Sequence, residues 1–204
     1  MAVVRARTLT EAYMYLELVI EGDRPIDHAR LVRLSTRDGE RVVRVDGPHG
    51  GRHYQLTIVV AAPPPGEQIR GIGHFGHGPE PSTLIDPGGW RMIELWSGPV
   101  AEAALREGAA PRPDGATVVS EDPDRYTRAG DGLLTALAAL DEIARFIPPG
   151  AAVVPPEAFF TPSGREVLRR EPEAFHRARI EHERVRYRAL LDQLVARHSP
   201  STES

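Results

Sequence analysis

Between Arg52 and Ala61 the residues Tyr54, Leu56, Ile58 and Val60 alternate with His53, Gln55, Thr57 and Val59. Successive side chains of an extended chain point to opposite faces, so this period describes a strand with one face buried and the other toward water. Two shorter apolar runs come before it. Residues 29–36 carry Leu31, Val32 and Leu34, and residues 40–46 carry Val42, Val43 and Val45. Arg37-Asp38-Gly39 joins those two runs, and Asp-Gly is a dipeptide that tight hairpins favour. The Gly-rich turn GPHGG then leads into the alternating strand. The pattern predicts an antiparallel meander of these strands. It ends at AAPPPG, because proline cannot donate within a central ladder.

The flanks read differently. Thr8 or Thr10 can cap a short helix over residues 11–18, with Glu11 placed three residues after Thr8 as in a capping box. Residues 71–96, GIGHFGHGPEPSTLIDPGGWRMIELW, hold both tryptophans and a dense set of glycines and prolines, and form the junction on which the halves are expected to pack. Within it, residues 90–96 suit either an added strand or the first turns of a helix, and residues 99–107 a short helix. After the linker-like AAPRPDG, a helix is expected from about Tyr126 to Ile147, with Leu133, Leu137, Leu140, Ala144 and Ile147 as its apolar stripe. Pro148-Pro149-Gly150 stops it. A long amphipathic helix should run from Pro172 to His198, with Ile180, Tyr187, Leu191 and Leu194 on one face.

These elements define an α+β fold: an N-terminal three- to four-stranded antiparallel meander packed on C-terminal helices. The division expected is a β-rich part over 1–110, a helical part over 111–198 packed on it as one domain, and a disordered tail at 199–204. The chain has 41% apolar and 26% charged residues, enough for a real core.

Composition also removes chemistries. There is no cysteine, hence no disulfide, thiolate ligand or cysteine nucleophile. All 25 basic residues are arginine, so a Schiff-base or P-loop lysine is excluded. A formal net charge of -4 argues against a surface that tracks nucleic-acid phosphates. The opening residues lack an unbroken apolar run, and no stretch reaches the roughly 20 apolar residues of a membrane span. A cytoplasmic protein, without membrane or nucleic-acid partners, is the expectation.

No nucleophile, base and orienter can be connected along the chain. Ser163-Gly164 is no nucleophile elbow, since no glycine lies two residues before the serine. Gly71, Gly73, Gly76 and Gly78 lack the order of a phosphate loop. His74 and His77, with Asp86 soon after, supply ligand types that a zinc or similar divalent transition metal takes. Their spacing on no regular element makes loop histidines the plainer interpretation. Phe75, Pro79, Trp90 and Trp96 are the apolar residues of this segment suited to an interface. On the last helix, Glu181, Glu183, Arg184, Arg186 and Arg188 suit a solvated, ion-paired face.

Three stretches resemble an uncharacterised actinobacterial protein family: EAYMYLEL, PSTLIDPGGW and the segment VPPEAFFTPSGREVLRREPEAFHRARIEHERVRYRALL. The resemblance implies a domain whose turns flanking the meander bear cysteine pairs of zinc-ribbon type. Here those turns read EGDRPID and DGPHGG, so the resemblance implies a degenerate zinc ribbon that has lost its metal and kept its sheet. It brings no catalytic residue with it.

The functional expectation is therefore a non-enzymatic protein-interaction role with no cofactor, such as an immunity or accessory protein of a bacterial toxin or secretion locus. Mild acidity suits a basic partner face. The alternative is a metal-dependent enzyme holding an ion with His74, His77 and Asp86, with His53 or Glu80 as base.

Overall fold

The computed structural model describes residues 2–20, 26–37, 39–62, 74–107 and 123–198. The expected tail, the AAPRPDG loop and most of the AAPPPG and EGDRPID turns lie outside the described residues. The fold is α+β, with a sheet formed early in the chain and helices packed after it, the last of them long.

The meander is present as β2 (Val32–Arg37), β3 (Glu40–His49) and β4 (Arg52–Val60), paired antiparallel. The face anticipated on β4 is the buried one at its far end, where Ile58 and Val60 are in the core and Tyr54 and Leu56 are half-covered. On β3, Val43 and Val45 are almost wholly buried. The first run is shared between a short helical turn, α2 (His28–Leu31), and the edge strand β2, whose Leu34 faces water. A fourth strand, β1 (Ala2–Ala6), lies parallel to β4 in register Ala2↔Leu56 to Ala6↔Val60, giving the order β1-β4-β3-β2. The fourth strand is thus the opening of the chain, and residues 90–96 are helical.

Helix α1 (Leu9–Val19) starts where Thr8 accepts a hydrogen bond from the Glu11 backbone N–H. The capping box is altered, however: the Glu11 carboxylate accepts from the backbone N–H of Arg7, at 2.6 Å, one residue before the cap. Ala12, Leu16 and Ile20 turn into the core.

Helix α3 (Pro87–Glu107) is continuous, joining residues 90–96, expected as an added strand or the first turns of a helix, to the short helix expected over 99–107. Its start is an Asp-Pro pair. Asp86 accepts from the Gly89 N–H at 2.9 Å, and Pro87, which needs no donor there, opens the first turn. Pro99 sits inside the helix, without the N–H that would reach the carbonyl of Leu95.

Helix α4 (Pro123–Arg145) packs along α3. A Cβ on Gly132 would stand 3.0 Å from the Ser97 carbonyl oxygen and 3.1 Å from the Ala101 Cβ, so a glycine lets the two helices approach. Its buried line is Ala129, Leu133, Ala136, Leu140 and Ile143, turned from the expected stripe so that Leu137 and Ala144 are only partly covered. The expected final helix is divided. Pro172–Phe175 form a single 3-10 turn, His176 is extended and bridged to Val153, and α6 (Arg177–His198) begins only after that pairing. Between α4 and α6 lies the short α5 (Pro162–Arg170), capped by Thr161. One continuous buried cluster joins the sheet, α1 and the helices, from Val43 and Ile58 through Leu16 and Trp90 to Leu133 and Tyr187.

Candidate functional site

The segment from His74 to Glu80 is tied to the start of α1. The Thr8 hydroxyl, besides capping α1, donates to the Phe75 carbonyl at 3.0 Å. The Arg7 guanidinium donates to the Glu80 carbonyl at 2.9 Å, to the Glu11 carboxylate and, at 2.7 Å, to Glu142 of α4. A Cβ at Gly76 would collide with that guanidinium, so the glycine between the histidines makes room for Arg7. Glu142 is also ion-paired with Arg145 at 2.7 Å. Burial raises the Glu142 carboxyl and the Arg7 and Arg145 charges oppose that rise. Burial acts to lower Arg7, yet Glu11 and Glu142 carry it upward overall. Of this cluster only Glu11 stands out in the sequence, as a capping-box residue. Arg7 and Glu11 are four apart and so legible as a local pair, but Glu142 is brought in by tertiary packing.

His74 and His77 do come together. The His74 Nε2 and the His77 Nδ1 are 3.2 Å apart and the rings meet edge to face. They line a pocket of about 200 Å³ with Thr10 of α1, Arg41 of β3 and Val60 at the end of β4.

Asp86 is committed elsewhere. Its Oδ2 accepts from the Thr161 N–H at 2.8 Å and from the Thr161 hydroxyl at 2.7 Å, while its Oδ1 caps α3. It is buried, and among the described residues no three His, Cys, Asp or Glu side chains gather as a metal-ligand set. The proposed triad of His74, His77 and Asp86 is therefore not assembled in this geometry. His53 pairs with Asp46 at 3.0 Å near the turn between β3 and β4. It lies seven residues from Val60 along β4, roughly 23 Å at the strand rise, which is too far to act as a base at the histidine pair. Glu80 is exposed, and its backbone carbonyl is the group that holds Arg7.

The Asp86 arrangement joins α3 to α5. A Cβ on Gly164 would run into the Asp86 carboxylate, and one on Gly88 would run into the Gly164 backbone. The sequence signal is the Thr161-Pro162-Ser163-Gly164 run, an N-cap followed by an N1 proline, ahead of a helical segment expected over residues 163–170 and present as α5.

The four apolar interface candidates divide. Phe75 and Trp90 are buried and pack on each other, ring centroids 4.9 Å apart and planes tilted by 40°. They are core residues, because the loop folds back over the inner face of α3. Pro79 and Trp96 are exposed. On the inner face of α3, Glu94 is buried with Arg91 and accepts a hydrogen bond from the Tyr187 hydroxyl of α6. Burial raises the Glu94 carboxyl, against the lowering influence of Arg91 and Tyr187. Burial and the Glu94 carboxylate raise the Tyr187 phenol well above its ordinary value. Of the charged residues expected on a solvated face of α6, Glu183 is instead buried and held by Arg179 and Arg186.

The outer face of α3 is apolar. Spacings of four, three and four put Met92, Trp96, Pro99 and Ala103 on one line of the helix, with Val100 beside it. Trp96 is 50% exposed and Val100 68%. Among the described residues no helix is long and apolar enough to cross a membrane. Comparison of the chain with protein-family models, curated proteins and solved structures gives no match in any of the three.

Proposed function

We propose that the protein works by binding another protein through the outward face of α3, without catalysing a reaction. The toxin-immunity or secretion-accessory role expected from the sequence is the biological setting proposed for it. The observation that carries this is the uncharged line of Met92, Trp96, Pro99 and Ala103, with Val100 at its side, on a helix whose opposite face already packs the core. A helix satisfied by its own fold needs one apolar stripe, and a second stripe headed by tryptophan is the composition of an interface centre. Covering the open half of an indole removes roughly 100 Å² from water, worth about 2–3 kcal/mol, the size of an interface hot spot.

The test is a paired capture from the native host with the wild-type chain and with Trp96→Ala and Val100→Asp. A stoichiometric protein retained by wild type and lost from both variants is the expected result. Absence of any stoichiometric partner sinks the reading. A wild-type dimer in sedimentation that Val100→Asp converts to monomer replaces the foreign partner with a second copy of this chain.

A further inference from the structure

The sheet has a second face, turned away from Val43, Val45 and Ile58 of the core. One row across it runs Val3 of β1, Thr57 of β4, Arg44 of β3 and Arg33 of β2, and the next runs Arg5, Val59, Val42 and Ser35. Arg33 and Arg44 are both exposed and stand directly opposite each other on neighbouring strands, which sets their Cβ atoms about 5 Å apart. Like charges in that position repel and work against the pairing of the strands. The Arg33 Nη1 donates to the carbonyls of Ala29, Arg30 and Val32 at 3.0, 3.3 and 3.2 Å, so its guanidinium is anchored from one side by the end of α2. Among the described residues no acidic side chain pairs with Arg33 or Arg44. The described carboxylates of this face are already engaged, Glu40 with Arg5 at 3.1 Å and Asp46 with His53 at 3.0 Å.

We infer that this face docks an acidic protein surface, with an Asp or Glu carboxylate of the partner received between Arg33 and Arg44. A carboxylate in that place offsets the repulsion between the two cations, and the paired N–H donors of a guanidinium match its two oxygens. The chain as a whole has a net charge of -4, so the sign here is opposite to that of the molecule. An acidic partner is therefore attracted to this face and repelled elsewhere, which fixes the orientation in which it approaches. Val3, which is 61% exposed, and the half-buried Val59 adjoin the arginines. That mixture of apolar area and arginine suits a protein surface better than a lone anion, which would leave the valines uncovered. A nucleic acid would bring many phosphates to two arginines flanked by Glu40 and Asp46, on a chain of negative net charge. The surface is distinct from the outward face of α3 and has its own test.

The experiment is a titration of the full chain with an oligoglutamate peptide at low salt, following the backbone amides by NMR. The amides of residues 33–35 and 42–44 should shift and saturate, while those of α3 stay still. Arg44→Gln should weaken the binding roughly tenfold, the loss of one charge-assisted contact. Arg44→Glu should abolish it and at the same time raise the melting temperature, because opposite charges directly across two strands attract. Amides of β2 and β3 that do not move overturn the inference. Undiminished affinity in Arg44→Gln does so too, as does a lowered melting temperature in Arg44→Glu, which would make Arg44 a residue that holds the sheet. Inorganic phosphate that moves the same amides at equal or higher affinity overturns it in favour of a small anion, and a DNA oligonucleotide that does so overturns it in favour of a nucleic acid. Trp96→Ala should leave the titration unaltered, so this result and the partner capture stand or fall separately.

Discussion

Trp90 and Trp96 lie six residues apart on one helix and live in opposite surroundings. Trp90 is fully buried against Phe75, while Trp96 keeps half of its surface in water. On the inner side, Gly88 and Gly98 of α3 and Gly132 of α4 let neighbouring elements come close, and the buried carboxylates are compensated, Glu94 by Arg91 and Tyr187 and Glu102 by Arg106 and Arg186. On the outer side there is neither glycine-mediated closeness nor charge along the line from Met92 to Ala103. Apolar character is common to both faces. Close complementarity belongs to the inner one, and it is complementarity that marks the face used by the fold itself.

The strongest way to break this contrast is to remove each indole in turn. Trp90→Ala should lower stability by about 3–5 kcal/mol in urea denaturation, through lost burial and the cavity left behind. Equal effects at positions 90 and 96 would show the faces to be alike. Next in size, Gly88→Ala drives a methyl group into the Gly164 backbone, where neither side can rotate away, and should cost about 1–3 kcal/mol or more. A neutral result there would mean that α3 and α5 part easily. Trp96→Ala should cost clearly less than Trp90→Ala, about 1–2 kcal/mol for the half of the indole already covered, while abolishing partner capture.

The smallest effect is a slope with pH. Burial raises the Glu94 carboxyl above its ordinary value of 4.5, so the folded state holds that proton more tightly than the unfolded state does. Its favourable contribution is complete below the unfolded value and is lost as pH rises from 4.5 through the raised folded value. Wild-type stability measured relative to Glu94→Gln should therefore fall over that window and level off above it. A difference that instead grows with pH contradicts a buried, raised carboxyl.

How far the sequence revealed these features follows from the range of the forces involved. The meander was legible because alternation at Tyr54–Val60 and the Asp38-Gly39 turn are local signals. The Thr8 cap was legible for the same reason. Strand β1 was not, since its partner lies some fifty residues on and AVVRA alone has no distinctive period. The start of α3 was written as Asp86-Pro87, yet Gly88-Gly89 masked it: glycine lowers helix propensity, and its use there is explained by the approach of the Gly164 backbone to Gly88 and of the Ile85 and Leu18 side chains to Gly89. At the candidate site, the nearness of His74 and His77 could be read from their spacing of three. The direction of Asp86 could not, because Thr161 reaches it from the other end of the chain. Of the interface candidates, burial separated Phe75 and Trp90 from Pro79 and Trp96, a distinction that residue type does not carry.

The parallel pairing of β1 with β4 has a consequence for the order in which the molecule forms. Strands β2, β3 and β4 can zip together across tight turns, at small loop-closure entropy, whereas β1 must wait for Leu56 to Val60 to be in place. During synthesis β1 emerges before its partner and docks late, leaving the edge of β4 open in the interval. In pulse-labelled refolding, the amides of Val3 to Ala6 should gain protection after those of Val42 to Val45; simultaneous protection would mean that the sheet closes as one unit.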